Sequence, residues 1–384
     1  MTDEKPLGLG LIGCGSFGLF CMETFAHIEG IRPVAAADAH KPAADRFAER
    51  FPGVAVHYSA AELIDRDDVG LVHVATPPGT HHALALRAAR AGKHVLCEKP
   101  LAMTLAQADE MLMAAAQHHV IMPVNFVLRY NPVTDAVKAV IDSGLLGRPL
   151  HAALANNAAD ENLPPGHWFW DKAASGGIFI EHGVHFFDLY RHWFGPGRVV
   201  CAHTEVREHT AQEDRVMCTV RHDDGTVVSH YHGFDQTGRM DRTEHRLVFE
   251  LGDVTVRGWI PTEMSVHALV DDQTLPALEE LCAPLHPALE VLETYDGDRR
   301  TCRSRGRERT VTQKVRLSCT APMDKQRLYA WSVGRLMSDQ VAGIRDPHHA
   351  RRVTEADGRE ALALAVAAAD AAGHARRRHP PSEA

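Results

Sequence analysis

The stretch LGLIGCGSFG, residues 9–18, decides the fold of the N-terminal part of this chain. It joins a short apolar run to Gly13, Gly15 and Gly18 in the spacing G-x-G-x-x-G, and a pattern with helical periodicity follows at once. Between a strand and a helix, such glycines allow a tight turn, a close approach of the backbone to a pyrophosphate, and close packing of the helix on the strand. The stretch therefore predicts a dinucleotide-binding turn.

An acidic residue at the end of the next apolar run supports this interpretation. Asp38 follows residues 34–37 and lies twenty positions after the last glycine, where a carboxylate can accept hydrogen bonds from ribose hydroxyls. The same charge would repel a 2′-phosphate, so NAD is favoured over NADP, although Lys41 is near enough in sequence to offset part of that repulsion. We expect Ser16 and Phe17, within the turn, to contact the cofactor as well.

Short apolar runs alternate with helical patterns from residue 7 to about residue 124, which is typical of βαβ units around a parallel, doubly wound sheet. This Rossmann pattern gives a predicted dinucleotide-binding domain at residues 1–128. Its six predicted strands are residues 7–12, 34–37, 54–56, 69–75, 94–97 and 120–124.

The pattern changes after residue 149 to alternating runs without intervening helices, which indicates an antiparallel sheet with one covered face. We predict an α+β domain with a large, open, mostly antiparallel sheet at residues 129–373, for substrate binding and oligomerisation, and a disordered tail at 374–384. The predicted strands of this domain are residues 199–208, 215–222, 226–233, 244–250 and 310–317, and its predicted helices are residues 132–143, 324–340 and 354–372.

Composition excludes several classes of function. The 384 residues suit about two domains, and the net charge of −9 disfavours nucleic acid as a partner. Eight scattered cysteines form no C-x-x-C pair, and no apolar run approaches the ~20 residues that span a bilayer. Because the N-terminus is polar and acidic, we expect a cytoplasmic protein without membrane attachment.

Ligands bind at the carboxyl edge of a doubly wound sheet, so the residues that follow its strands are candidate site residues. Thr76, Pro77 and His81 follow the fourth predicted strand, Glu98 and Lys99 follow the fifth, and Asn125 follows the sixth. We predict that all six line the cofactor site. Lys99 would also orient a substrate hydroxyl and stabilise developing alkoxide charge.

A second candidate cluster lies in the glycine-rich segment 176–188. Glu181 and His185 have i, i+4 spacing and would share one face of a helix as an acid/base pair. The chain contains 26 histidines, and His182 adjoins this pair, but consecutive helical residues point about 100° apart. We therefore expect no metal ion here.

Taken together, these motifs resemble the glucose-fructose oxidoreductase, inositol dehydrogenase and MocA (Gfo/Idh/MocA) family over nearly the whole chain. The resemblance rests on residues 13–18, Asp38, residues 75–78 with His81, Glu98-Lys99-Pro100, residues 176–188 and residues 353–358. It implies a Rossmann domain, a second domain with an open antiparallel sheet, and a homodimer or homotetramer.

The resemblance also implies roles for individual residues. Lys99 matches the family's active-site lysine and His185 its acid/base histidine, while Glu181 stands where many family dehydrogenases have aspartate. It could orient His185, hold a substrate hydroxyl or accept the proton itself. Positions that line family substrate clefts correspond to Arg129, Asn157 and Trp168.

The expected function is NAD-dependent oxidation of a secondary alcohol in a sugar, inositol, related cyclic polyol or glycoside, or reduction of the matching ketone. One alternative keeps the site but makes oxidation transient, as in a redox-neutral sugar lyase or glycosidase. Another is a non-catalytic sensor of sugar and dinucleotide. The expected partner is a small molecule, and neither a nucleic acid nor a membrane is expected.

Overall fold

The computed structural model describes residues 5–378. These form two compact units, the first comprising the chain up to Val127 together with Pro165–Asp188 and Ala330–Val366. The second unit comprises Leu128–Pro164, Leu189–Tyr329 and the chain from Ala367 onwards. The first division, after Val127, lies one residue from the predicted domain boundary, but two later segments return to the first unit.

A five-stranded parallel sheet forms the centre of the first unit, in the order β3-β2-β1-β4-β5. Its strands are β1 (Leu7–Ile12), β2 (Ile31–Ala37), β3 (Ala55–His57), β4 (Leu71–Val74) and β5 (His94–Cys97). The helices between and after them are α1 (Ser16–Phe25), α2 (Lys41–Arg50), α3 (Ala60–Ile64), α4 (His81–Arg90) and α5 (Leu105–Gln117). The alternation of strand and helix confirms the predicted Rossmann architecture.

The predicted sixth strand, residues 120–124, is not a regular strand. The segment runs beside β5, because the N–H of Val95 donates to the carbonyl of Ile121 and the N–H of Cys97 donates to the carbonyl of Pro123. Only the isolated bridge between Cys97 and Val124 is formed. Pro123 has no N–H, so it cannot contribute a donor to the ladder.

A nine-stranded sheet dominates the second unit, in the order β13-β16-β12-β11-β10-β6-β9-β8-β7. All neighbours are antiparallel except β6 and β9, which confirms the predicted mostly antiparallel sheet. Its strands are β6 (Pro149–Ala159), β7 (Gly197–Val206), β8 (Glu213–His222), β9 (Val227–Gln236), β10 (Arg242–Phe249), β11 (Gly252–Arg257), β12 (Glu263–Val270), β13 (Ala288–Thr294) and β16 (Gln313–Thr320). A separate hairpin consists of β14 (Thr301–Ser304) and β15 (Arg307–Thr310).

Three of the remaining helices, α6 (Pro132–Ser143), α10 (Lys325–Arg345) and α11 (Glu355–Arg378), lie where the sequence predicts helices, whereas α7 (Lys172–Ser175) and α9 (Thr274–Cys282) were not predicted. Asn131 caps α6, because its Oδ1 accepts the N–H of Val133 at 2.8 Å, and Gly144 ends that helix with φ +65°. The last helix continues to Arg378, so the predicted end at residue 372 and the predicted disordered tail are wrong for residues 374–378; residues 379–384 of that tail lie outside the described residues. These helices are α6 (Pro132–Ser143), α7 (Lys172–Ser175), α8 (Val184–Phe194), α9 (Thr274–Cys282), α10 (Lys325–Arg345) and α11 (Glu355–Arg378).

Among the described residues, none of the helices is both long and apolar enough to cross a bilayer.

Candidate active site

The glycine turn between β1 and α1 has the geometry that its sequence predicts. Gly13 has φ +103°, and a Cβ there would lie 2.3 Å from the carbonyl oxygen of Ala75. A Cβ on Gly18 would lie 2.0 Å from the carbonyl oxygen of Gly13, whereas a Cβ on Gly15 would meet nothing within 4 Å. The outer two glycines are therefore required by packing, and Gly15 borders open space at the N-terminus of α1. That space suits a pyrophosphate.

Asp38 is tied to the same turn. Its Oδ2 accepts the backbone N–H of Cys14 at 2.8 Å, and its Oδ1 accepts that of His40 at 2.8 Å. Each oxygen keeps a lone pair for a ribose hydroxyl. The ammonium of Lys41 lies 5.0 Å from the ring centroid of Tyr58, in a cation–π contact. Asp38 is therefore held in place, and Lys41 has a partner of its own.

His81 joins the loops that follow β4 and β5. Its Nδ1 faces the carbonyl oxygen of Pro100 and its Nε2 faces that of Thr76, both at 2.7 Å. The ring is fully buried, and burial lowers the pKa of His81 while the two carbonyls oppose that shift. Both ring nitrogens therefore face backbone carbonyl oxygens. His81 holds the Thr76-Pro77 loop in position, and through that loop it can affect a bound cofactor. A Cβ on Gly79 in that loop would lie 3.5 Å from the carbonyl oxygen of Ala174.

Lys99 and Glu181, 82 residues apart in sequence, are in direct contact. The Nζ of Lys99 donates to the backbone carbonyl oxygen of Glu181 at 3.0 Å and forms a close ion pair with its Oε1. The side chains are only 17% and 10% exposed, so water screens this pair weakly. The sequence places both residues in the site, but it gives no indication that they pair.

Glu98 is held from two sides. Its Oε1 accepts the side-chain amide of Asn125 at 2.6 Å and lies 3.0 Å from the Nε2 of His73. His73 is fully buried on β4 and was not among the predicted site residues. The histidine within the apolar run LVHV could have indicated a polar partner nearby, because a buried imidazole requires one.

His185 follows an irregular helical turn. Residues Phe179–Gly183 form a π-helical turn that leads directly into α8, so Glu181 lies in a wider turn than a regular helix provides. His185 is 6% exposed, and its ring centroid lies 6.3 Å from that of His182. Such π turns recur at functional sites. The helix from Val184 agrees with the predicted helical pattern, the π turn at Glu181 was not foreseen, and a shared face for Glu181 and His185 stays a prediction.

The three predicted substrate-binding residues are divided between the units. Trp168 belongs to the first unit, with Lys99 and Glu181, and its ring centroid lies 5.2 Å from that of His167. Arg129 and Asn157 belong to the second unit, where Arg129 is 6% exposed and Asn157 lies on β6, paired with Arg242 of β10.

Family comparison identifies both parts of the chain. Residues 7–126 match the model of the oxidoreductase family with an NAD-binding Rossmann fold, and residues 134–254 match that of the GFO/IDH/MocA C-terminal domain. The chain belongs to the GFO/IDH/MocA oxidoreductase family. Its N-terminal domain is accordingly an NAD-binding Rossmann domain.

The similar proteins include a 1,5-anhydro-D-fructose reductase from Ensifer adhaerens, which is 36% identical over 182 residues, or 46% of this chain and 54% of that protein. An inositol 2-dehydrogenase 2 from Saccharopolyspora erythraea is 35% identical over 213 residues, or 54% of this chain and 60% of that protein. The matched part therefore spans little more than half the length of these relatives.

The similarity of fold extends over nearly all of the chain. A crystal structure of an oxidoreductase from Agrobacterium radiobacter in complex with NAD+, L-tartaric acid and magnesium superposes with a TM-score of 0.77. The superposition covers 97% of this chain and 98% of that one at 18% identity, and it supports the fold alone.

Proposed function

We propose that this chain is an NAD-dependent dehydrogenase or reductase that acts on a secondary alcohol of a sugar, an inositol or a related cyclic polyol, or on the matching ketone. The observation that carries the proposal is the contact of Lys99 with Glu181, beside Glu98 and in the same unit as the glycine turn. Two weakly exposed, oppositely charged groups at the carboxyl edge of a dinucleotide-binding sheet suit proton and alkoxide chemistry. The reductase and dehydrogenase names of the two relatives support the substrate class.

The cofactor fits the residues present. Gly15 borders open space at the N-terminus of α1, and Asp38 has lone pairs available for the two ribose hydroxyls of NAD. When bound, NAD would supply the hydride acceptor, and reduced NAD the hydride donor. Thr76, Pro77, Glu98 and Asn125 would complete its binding site at the strand ends, and His81 would hold the first loop in position.

In the oxidation direction, the substrate oxygen would take a hydrogen bond from the Nζ of Lys99 in exchange for part of the contact with Glu181. The lysine charge would then stabilise alkoxide character on that oxygen. His185 would accept the hydroxyl proton, and reduction would run these steps in reverse. Trp168, Arg129 and Asn157 are the proposed substrate contacts.

A substrate screen with NAD and NADP in separate wells tests the activity. The panel contains inositols, aldoses, amino sugars, anhydro sugars and glycosides, and the readout is formation of reduced cofactor. Reduced NAD that accumulates in step with product supports a net dehydrogenase. Product formed without reduced NAD would favour the redox-neutral lyase or glycosidase, and NAD binding with turnover in no well would favour the sensor.

Lys99→Ala tests the proposed role of the lysine in turnover. Loss of a positioned donor at the reacting oxygen should lower kcat by about 10²–10³-fold. NAD affinity should change little, since the polar contacts of Lys99 within residues 5–378 are with Glu181 and the other proposed cofactor contacts stay in place. Full turnover by Lys99→Ala would contradict the assignment.

We also propose a homodimer or homotetramer in the cytoplasm. Large apolar side chains stand exposed on strands of the nine-stranded sheet, among them Val200, Met217, Leu289 and Val291. An interface between two copies of the chain at either edge of this sheet would remove some of these side chains from water. Light scattering after size exclusion tests the oligomeric state, and cell fractionation tests the location.

A further inference from the structure

Three side chains of metal-binding type meet within the first unit, outside the groups assigned to proton transfer. They are Cys21 of α1, His73 of β4 and Glu98, which follows β5. Their ligand atoms, Sγ, a ring nitrogen and a carboxylate oxygen, all lie within 4.8 Å of one another. Cys21 and His73 are fully buried and Glu98 is 7% exposed. The proposed reaction uses neither Cys21 nor His73.

Among the salt bridges of the described residues, none joins Glu98 to a lysine or an arginine. Its ion-pair partner within residues 5–378 is His73, a group that is charged only when protonated, and its other partner is the neutral amide of Asn125. The neighbouring ammonium, on Lys99, is engaged by Glu181. Burial of a carboxylate without a cation is costly, even when hydrogen bonds offset part of the cost. A cation at this position would remove that cost.

The donor set selects the kind of cation. A thiolate, an imidazole and a carboxylate are the three ligand types that proteins offer Zn²⁺, commonly as three ligands with a fourth position open. A fourth donor is at hand, because the Oδ1 of Asn125 is buried and has no hydrogen-bond partner among the described atoms. Rotation of the Asn125 amide by half a turn would exchange the positions of Nδ2 and Oδ1, so that Oδ1 would face Glu98 and a bound cation.

We propose that Cys21, His73 and Glu98 form a binding site for one Zn²⁺ ion, with Asn125 as a fourth ligand. Binding replaces the thiol proton of Cys21: Zn²⁺ joins the sulfur, and one proton leaves to solvent. No electron is transferred. Because each ligand comes from a different element, the ion would connect α1, β4 and the end of β5.

A cobalt titration tests the site. The full-length chain, reduced and free of cofactor, is titrated with Co²⁺, whose bond to a thiolate gives a near-ultraviolet charge-transfer band. The expected result is saturation at one ion per chain and loss of the band when Zn²⁺ is added. Absence of a saturable band in the wild-type chain would overturn the proposal.

Two cysteine variants form a matched pair. Cys97 is also fully buried near Glu98, but its thiol donates to the carbonyl oxygen of Leu101 at 3.8 Å and it is not part of the group. Cys21→Ala should remove the band. It should also weaken Zn²⁺ binding by more than about 100-fold, because loss of a residue that only hydrogen-bonds a metal ligand already costs about 10–100-fold. Cys97→Ala should leave both unchanged. A band that survives Cys21→Ala but disappears in Cys201→Ser would assign the metal to the exposed thiol of Cys201 and overturn the site.

His73→Gln provides a second route if Cys21→Ala does not fold. It removes the imidazole ligand and keeps a side-chain N–H for Glu98, so Zn²⁺ affinity should fall while the thiolate band stays detectable at high Co²⁺. Unchanged affinity in His73→Gln would contradict the proposed ligand set. Both variants are checked by far-ultraviolet circular dichroism before titration.

The site has one consequence for the cofactor, which rests on the proposed function. Glu98 is also a proposed NAD contact, so bound Zn²⁺ should weaken NAD binding in the wild-type chain, and a chelator should restore it. Cys21→Ala should bind NAD equally with and without Zn²⁺. Because the cobalt titration needs no cofactor and no substrate, failure of the metal site and failure of the proposed activity give separate results.

Discussion

The glycine turn allows cofactor binding and folding to be separated by two substitutions of the same kind. Gly15→Ala adds a methyl group where nothing lies within 4 Å, at φ −69° and ψ 178°, a conformation open to alanine. Gly18→Ala adds one 2.0 Å from the carbonyl oxygen of Gly13, about 1.4 Å closer than ordinary contact at 3.4 Å. The first should affect the bound cofactor, and the second should affect the fold.

The magnitudes follow from these distances. Relief of the Gly18→Ala clash requires α1 to move away from the turn, and overpacking of this kind costs about 2 kcal/mol of unfolding free energy. For a domain of this size, the melting temperature should fall by about 4–8 °C. Gly15→Ala should change stability by less than about 0.5 kcal/mol. Its methyl group would occupy space beside the pyrophosphate, and the Kd for NAD should rise at least about tenfold, or about 1.4 kcal/mol.

Thermal melting of the cofactor-free chain measures the first effect, and calorimetric titration with NAD measures the second. Equal NAD affinity of Gly15→Ala and the wild-type chain would refute the placement of the pyrophosphate at this turn. An unchanged melting temperature for Gly18→Ala would refute the packing argument, whatever its NAD affinity.

Other groups give further expectations. Glu181→Gln replaces a charge-assisted contact of Lys99 by a neutral one, so kcat should fall about tenfold with NAD affinity unchanged, and steady-state kinetics with a binding titration check both. Asp38→Ala should raise the Kd for NAD and lower that for NADP, and a preference for NAD as strong as before would contradict its role. Burial lowers the pKa of His232 and of His245 to about 3, from an ordinary value of 6.5. Between about pH 6.5 and 3, these histidines are therefore protonated in the unfolded chain and neutral in the folded chain. The free energy of unfolding should fall as the pH falls, by up to about 1.4 kcal/mol per pH unit for each histidine. Urea unfolding across this range measures the slope, and His232→Leu should reduce it; an equal slope would exclude that histidine as a cause.

The sequence predicts only part of the fold from local patterns, because β11, β12 and β13 were not among the predicted strands although β12 alternates between buried and partly exposed residues. Strands such as β10, with buried and exposed residues in alternation, are evident from period two alone. β6 is not, because PLHAALANNAA is rich in alanine and asparagine, which have low strand propensity. Its neighbours β10 and β9 decide its conformation, since it lies between them inside the sheet. Residues 120–124 show the opposite case. The segment is apolar and lies beside β5 as predicted, but Pro123 lacks an N–H, so the segment does not form a regular strand.

The candidate site shows the same division. The residues that follow each strand could be named from the sequence, because the carboxyl edge of a parallel sheet is fixed by topology. The contact of Lys99 with Glu181 could not be predicted, since 82 residues separate them and Glu181 lies in a π turn that the sequence did not indicate. His73 was hidden in an apolar strand, where an isolated histidine gives no sign of its partner.

The two contacts of Lys99 with Glu181 affect which substitutions the site can tolerate. Only one of its two contacts depends on the side chain at position 181, because the other is to the backbone carbonyl oxygen of that residue, which every amino acid provides. An exchange of glutamate for aspartate would shorten the acid by one methylene and leave the backbone anchor of the lysine in place. Position 181 can thus vary during evolution or directed selection and alter the space beside the ammonium of Lys99, while Lys99 keeps its backbone contact.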